Sequence, residues 1–344
     1  VKAVILTSGD ALYYGIGKSL AASFNDSQLR FHPNLSLVAA AAAKIGLSWG
    51  DVKVLSLHGR ENLSPFLTAL AKDYPFFLYT DPRHDPVWVA KQCLKWGLDN
   101  LVLTVFVHLG SDSEEIFHGK PSQISEKQFS SPNLVLIQSS GPSESVDYLT
   151  SNFGRPDTLF HHDSGMITKA EIRAISLSKL HLQSDSILWD IGAGSGSVSI
   201  EAAGFINTGQ VIAFEKKTHR VDLIRENQLK FRAFAIEIIP QAFQDANLED
   251  LAPPSRIFIG GGGKDIGAIL DIAYRQLAPN GRMVINTVLL ESLETVRCFF
   301  KTKRINLDIV QVNIQKNMAM PYGSRMQAFN PVFVISLQKE TDSL

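Results

Sequence analysis

The chain has 344 residues, 45% hydrophobic and 19% charged, with a net charge of −1. That length suggests two domains, each able to bury a sizeable core, and the near-neutral balance excludes a global pull toward nucleic acid or anionic membrane. Cys93 and Cys298 are the only cysteines, so a disulfide framework and a cysteine metal site are excluded and a reducing compartment is expected. With no apolar run of membrane-spanning length and no basic-then-apolar leader, the expectation is a soluble cytoplasmic protein.

The chain opens on Val1 and reads as strand by Val4, as if it began in mid-domain. Strands are predicted over Val4–Thr7, Val52–Leu57, Phe76–Thr80, Leu101–Val107 and Leu134–Gln138, with helices such as Ser36–Ile45 and Pro86–Trp96 between them. A stretch rich in Ser, Gly, Pro and Asp then breaks the rhythm, which predicts a first domain over 1–140 and a linker over 141–160. The second domain, 161–344, restarts with an amphipathic helix in "MITKAEIRAISLSKL", where Ile172, Ile175 and Leu180 share a face. Strands follow at Ile187–Ile191, Val211–Glu215, Ala235–Ile239, Arg256–Gly260 and Arg282–Val288. Helices are expected at Gly196–Ile206, His219–Phe231, Lys264–Leu277 and Glu291–Lys301. Two last strands, Asn306–Ile314 and Pro331–Leu337, are expected to be joined by a long loop. Alternating strands and helices predict α/β architecture in both parts.

The stretch "ILWDIGAGSGSVSIEAA", Ile187 to Ala203, is a glycine loop between a strand and a helix. A phosphate-binding P-loop needs Lys-Ser or Lys-Thr after its last glycine, but Ser197-Val198 follows Gly196. The dinucleotide fingerprint from Gly192 and Gly194 needs a third glycine at 197, which is Ser. S-adenosylmethionine, which has no phosphates, fits better. A loop of Gly192, Ala193, Gly194, Ser195 and Gly196 lets the backbone approach the methionyl part and ribose. Asp190 is expected to meet the ligand's ammonium group, directly or through water. Glu215 ends the next strand and is placed to accept from both ribose hydroxyls, while Gln241 and Ala242 would lie near the adenine. His161-His162-Asp163 is not read as a metal site, because adjacent histidines point apart in extended chain and no third ligand is in register. Gly260–Gly263 is expected to let the backbone approach the cofactor or substrate rather than cradle phosphate.

From about Gly165 to Leu337 the chain resembles the decarboxylating methyltransferase domain of cobalamin biosynthesis. The stretches that carry this are "GMITKAEIRAISLSKL", "WDIGAGSGSVSIEAA", "FIGGGG", "LAPNGRMVINTVLLES" and "FNPVFVISL". The first part resembles the tetrapyrrole methylases through "TSGDALYYGIG", "PNLSLVAAAAAKIGL", "LSLHGR", "LYTDPRHDP" and "FVHLGSDSEEIFHG". Together the halves resemble the decarboxylating precorrin-6Y C5,15-methyltransferase family. The first half departs from the methylase pattern in four ways. No opening strand with its Gly-x-Gly loop lies ahead of Val1, Ala11 replaces a proline, Asn34-Leu35-Ser36-Leu37 replaces a Gly-x-Ser-Ser turn, and Val107-His108 replaces a Glu-Asn before Leu109-Gly110.

The resemblance implies a tetrapyrrole methylase-like α/β domain lacking its first strand, followed by a Rossmann-like class I methyltransferase domain. It implies S-adenosylmethionine as cofactor and a corrinoid precursor, precorrin-6, as substrate, methylated at C5 and C15 and decarboxylated at a ring acetate to give precorrin-8. Thr168 is then expected beside the cofactor, and Ser8, Gly9 and Asp10 form a second cofactor-side turn in the first half. Several substrate carboxylates must be held, which points to Lys169, Arg173 and Arg325, with His58 and Arg60 in the first half. Neither nucleic acid nor membrane is expected as a partner, and a symmetric homo-oligomer is. The competing reading is an RNA or protein methyltransferase whose first half only binds a tetrapyrrole. It would call for an added basic stripe with aromatics, which the sequence does not display.

Overall fold

A computed structural model describes residues 3–7, 9–59, 61–72, 74–141, 152–261 and 263–340. The chain divides into two units, Val1–Val146 and Asp147–Leu344.

In the first unit α1 (Gly17–Ser23) and α2 (Leu37–Lys44) precede β1 (Lys53–Ser56). Then come α3 (Ser64–Lys72), β2 (Phe76–Tyr79), α4 (Pro86–Lys95), β3 (Leu101–Val107), β4 (Glu115–Gly119), α5 (Pro121–Ile124) and β5 (Asn133–Ser139). The sheet runs β1-β2-β5-β3-β4, with only β1 and β2 parallel. Helix starts follow the local chemistry. Ser36 caps α2 by accepting from the Ala39 amide at 3.1 Å, and Asp85 caps α4 by accepting from Trp88 at 2.7 Å, ahead of Pro86, whose fixed φ suits a first turn. Val38, Ala41 and Ala42 of α2 pack with Phe77, Phe106, Leu134 and Leu136 of the sheet. The strand expected over 4–7 does not form. Val4 is 87% and Leu6 92% exposed, and among the described residues no strand pairs with this segment. An apolar run without a neighbour has no ladder to join.

The second unit is a doubly wound sheet. Its elements are α6 (Ala170–Leu180), β6 (Ile187–Ile191), α7 (Ser197–Ala203), β7 (Gln210–Phe214), α8 (Thr218–Lys230), β8 (Ile236–Ile239), β9 (Arg256–Ile259), α9 (Ile266–Gln276), β10 (Arg282–Thr287) and α10 (Leu290–Thr302). They are followed by β11 (Asp308–Val312), β12 (Gln315–Met320), β13 (Gly323–Ala328) and β14 (Val332–Gln338). The order β11-β14-β10-β9-β6-β7-β8 is parallel from β10 to β8 and antiparallel at β14 and β11. The chain moves outward from β6 to β7 and β8, then crosses back to β9. That reversal opens a crevice at the carboxyl ends of β6 and β9, where open α/β sheets bind ligands.

Side-chain alternation along β6 sorts its residues between two cores. Trp189 and Ile191 pack with Ile269 and Leu270 of α9 and Phe300 of α10, whereas Leu188 packs with Leu177 of α6 and Ile200 of α7. Asp190 therefore shares the face of Leu188 and points beneath α7. The long loop expected between the last strands is instead the hairpin of β12 and β13. Pro321-Tyr322 turns the chain and Gly323 follows with φ 125°, a turn signal the apolar pattern alone did not reveal. Among the described residues no helix is long and apolar enough to cross a membrane.

Candidate active site

The turn after β6 needs its alternating glycines. Gly192, Gly194 and Gly196 have φ of 75°, 60° and 75°, the left-handed region that only glycine enters freely. At Gly196 a Cβ would also lie 2.9 Å from Cγ2 of Ile224 on α8. That residue's demand is thus backbone conformation and close packing. The turn is hooked to the end of β7, where the amides of Gly192 and Ala193 both donate to the Phe214 carbonyl at 3.0 Å.

One residue further on, Glu215 is 5% exposed and its two oxygens accept from the amides of Gly194 and Lys217, each at 2.9 Å. A carboxylate offers about four lone-pair positions, so it keeps capacity for further donors. Glu215 lines a cavity of about 280 Å³ with Gln241 and Ala242. A second cavity of about 400 Å³ adjoins it, walled by Thr168 and Lys169 on one side, the turn at Gly192–Ser195, and Asn286, Leu289 and Ser292 on the other. Gly192, Arg220, Gly260 and Gly261 line both. The expectation that Gly260–Gly263 brings backbone to the ligand space agrees with this at Gly260, Gly261 and Gly263; Gly262 lies outside the described residues.

The buried polar groups behind the turn have other work. Asp190 is fully buried and lines neither cavity. Its Oδ2 accepts from Ser199 Oγ at 2.5 Å, while Oδ1 has no partner among the described residues. Burial pushes its carboxyl up to about 7, opposed by the Ser199 hydrogen bonds and reinforced by the negative Glu215. The parity of β6 explains why it does not face the ligand space as expected. Arg173, expected among substrate cations, is also fully buried. Its Nε donates to Glu201 at 2.6 Å and its Nη2 to the Arg155 carbonyl at 2.5 Å. Nη1 reaches Asp157 at 3.3 Å and the Thr168 carbonyl, and the guanidinium lies 4.8 Å over Phe160. Glu201 also accepts from the amides of Gly154 and Arg155 at 2.8 and 2.9 Å. Arg173 thus fastens the entering chain and the Thr168 wall to α6 and α7, and its donors are not available to a substrate.

Lys169 does reach the larger cavity, with its ammonium on the Gly165 carbonyl at 3.0 Å and 3.9 Å from Asp157. Arg325 sits exposed on β13, 3.7 Å from Met318 Sδ, and lines neither cavity. In the first unit Gly9, Asp10 and His58 line a separate cavity of about 450 Å³ with Tyr13, Ser36 and Tyr79. Burial, and then Tyr13 beside it, pushes the Tyr79 hydroxyl up to about 12. Ser8 and Arg60 lie outside the described residues.

Two residues were missed by the sequence reading. Asn227 is fully buried, bonds both backbone groups of His161 at 2.8 Å and donates to the Ser195 carbonyl at 2.9 Å, so it ties the chain before α6 to the glycine turn. Its signal was a polar side chain on the apolar face of α8, with Val221 and Ile224. Arg220 carried no signal in spacing.

Comparison with known proteins finds two families, each matching a different part of the chain. The family described as precorrin methyltransferase domain matches residues 158–339, more than half of the chain. The chain belongs to the precorrin methyltransferase family. Tetrapyrrole (corrin/porphyrin) methylases match residues 1–125. A precorrin-6Y C(5,15)-methyltransferase [decarboxylating] of Sinorhizobium sp is 32% identical over 287 residues, which is 83% of this chain and 68% of the relative. A probable cobalt-precorrin-6B C(15)-methyltransferase (decarboxylating) of Saccharolobus solfataricus is 36% identical over 190 residues, 54% of this chain and 96% of the relative. The crystal structure of precorrin-6y C5,15-methyltransferase from Geobacter metallireducens is 37% identical with a TM-score of 0.51, covering 54% of this chain and 97% of that one. Within the precorrin methyltransferase family, then, this chain joins a tetrapyrrole methylase α/β domain to a Rossmann-like methyltransferase domain.

Proposed function

We propose that the chain uses S-adenosylmethionine to methylate C5 and C15 of a precorrin-6 tetrapyrrole and decarboxylates its ring acetate, yielding precorrin-8 in cobalamin biosynthesis. The observation that carries this reading is the pair of cavities joined at the glycine turn, one holding Glu215 and the other open beside it. The names of the Sinorhizobium and Saccharolobus relatives support the substrate class and the loss of carbon dioxide. The Saccharolobus relative is named for C15 and decarboxylation alone, and its 190-residue match is close to the length of the second unit. We therefore assign those two steps to the second half and C5 to the first.

The residues present fit the donor. Glu215 keeps acceptor capacity for ribose hydroxyls, Gln241 and Ala242 flank the adenine, and Gly192, Ala193, Gly194 and Ser195 hold the methionyl part with Thr168 opposite. Gly196 serves by shaping the turn, and Asp190 from behind it through Ser199. Gly9 and Asp10 supply the corresponding turn in the first half, with His58 lining the same cavity for substrate. Bound in the second half, the donor supplies a methyl group on a sulfonium, already a good leaving group, so positioning is the chief demand on the protein. Ile172, Leu289 and Val296 line the larger cavity with apolar surface for the macrocycle, and Lys169 adds a positive charge for a polycarboxylate. On decarboxylation the bonding pair of the lost carboxylate passes into the conjugated macrocycle, and a proton takes its place.

On this reading residues 1–140 and 161–344 are the two catalytic halves, and 141–160 joins them, with the stretch from Gly154 held to the second by Glu201. The same reading makes the protein a cytoplasmic homo-oligomer without nucleic-acid partners. Exposed Met318, Met320, Tyr322 and Met326 on the β12–β13 hairpin support self-association. Calorimetric titration of the full chain with S-adenosylhomocysteine, with Glu215→Ala beside it, tests the proposal. Two sites per chain are expected, one of them weakened about ten- to hundredfold by the substitution. A chain that binds none would refute the methyltransferase reading.

A further inference from the structure

We propose that Arg220 anchors a carboxylate at the junction of the two cavities, a role that rests on the methyltransferase reading above. Arg220 lies in the first turn of α8, half-buried, and among the described residues it is the one cation that lines both cavities. Its neighbours in that shared wall are Gly192, Gly260 and Gly261, which have no side chains to crowd a ligand or to answer its charge. Its Nη2 lies 3.5 Å from Met166 Sδ, a weak acceptor, and among the described residues it has no carboxylate partner. Lys216 and Lys217 line only the smaller cavity, and two cations beside the larger one differ in their partners. Lys169 is held by the Gly165 carbonyl and Asp157, and Arg173 is fully buried on Glu201. A guanidinium left with open donors in a ligand cavity is matched in shape and charge by a carboxylate, which it grips bidentately.

Two carboxylates can arrive at that junction, the methionyl carboxylate of the donor and a ring carboxylate of the tetrapyrrole. The experiment separates them. The full chain and its Arg220→Met and Arg220→Lys variants are titrated with S-adenosylhomocysteine and with 5′-methylthioadenosine, which lacks the amino-acid portion, and KM and kcat are measured for the precorrin. If the donor carboxylate is held, Arg220→Met weakens S-adenosylhomocysteine by about tenfold or more while 5′-methylthioadenosine is unmoved. If a ring carboxylate is held, both nucleosides bind as before. KM for the precorrin then rises by about tenfold or more at little-changed kcat, and Arg220→Lys recovers part of it. Equal weakening of both nucleosides would mark Arg220 as a structural support and overturn the proposal. So would all constants staying within about twofold of wild type. A wild-type chain that binds neither nucleoside would overturn the methyltransferase reading itself, and a flat Arg220→Met series beside a binding wild type would overturn only the role of Arg220.

Discussion

Arg173→Met separates two accounts of the same residue. As a substrate cation, Arg173 would govern KM and leave folding untouched. As a buried tie, it governs stability. Both side chains of the Arg173–Glu201 pair are fully buried, with the closest approach at 2.6 Å. Methionine fills much of the volume but leaves Glu201 with only the Gly154 and Arg155 amides, and leaves the Thr168 and Arg155 carbonyls without this donor. Breaking a buried pair from one side costs about 3–5 kcal/mol, because the remaining charge stays in a low-dielectric site. The two amides on Glu201 soften that loss and the two carbonyls add to it, so the expected destabilisation stays near that range. Urea unfolding of the full chain, read by hydrogen exchange across residues 152–180, measures it in the unit concerned. Protection at Gly154 and Arg155, whose amides donate to Glu201, should fall together. A loss below about 1 kcal/mol, the scale of an exposed pair, with a raised KM would refute the tie and restore the substrate role.

Gly196→Ala should cost about 1–3 kcal/mol, since φ is 75° and the new Cβ meets Ile224 at 2.9 Å. Ile224→Ala removes buried volume of its own but relieves the clash, so in that background Gly196→Ala should cost less than in wild type yet still something; a cost of zero there would mean that the turn does not require φ above zero. Asp190 has its pKa raised from 3.8 to about 7 in the folded chain. A raised acid binds its proton more tightly when folded, so its stabilising contribution is complete below the unfolded pKa and is lost as pH climbs through about 7. Asp190→Asn should flatten the pH dependence of the urea midpoint between acid and neutral pH; a variant curve parallel to wild type would refute the assignment. Asn227→Leu should loosen both the His161 backbone and the glycine turn, seen as faster amide exchange at each. Exchange altered at only one of them would show that the link is not mechanical.

The sequence made the second unit's main sheet legible because β-strands buried on both faces are written as largely apolar runs. "ILWDI", "VIAF" and "RIFI" read as core strands, and the seven strands of that sheet differ from those expected by about a residue or two, whereas β4 in the first unit was not expected. The glycine turn and Glu215 were legible for a related reason. Left-handed backbone and an acid at a strand end are local demands, satisfied within a few residues. Val4–Thr7 failed because strand pairing is not local: the run has the composition but no neighbour. The β12–β13 hairpin was hidden because most of its residues are exposed and it carries little apolar alternation to read.

The charged residues divide in the same way. Which side of β6 carries Asp190 follows from counting by two, and that count could have been made before any coordinates, because Leu188 and Asp190 must share a face. The place of Arg173 could not. Its partner Glu201 lies 28 positions away on another helix, and its carbonyl acceptors belong to the chain before α6. A charge pattern read along the sequence sees a cation near a cofactor turn and expects a ligand contact. Whether that cation reaches the cavity depends on which acid the fold delivers to it first. Glu201 reaches Arg173, Asp157 and the Gly165 carbonyl approach Lys169, and no acid among the described residues pairs with Arg220. The distribution of acids, more than that of bases, therefore decides which positive charges of this site remain open to a substrate.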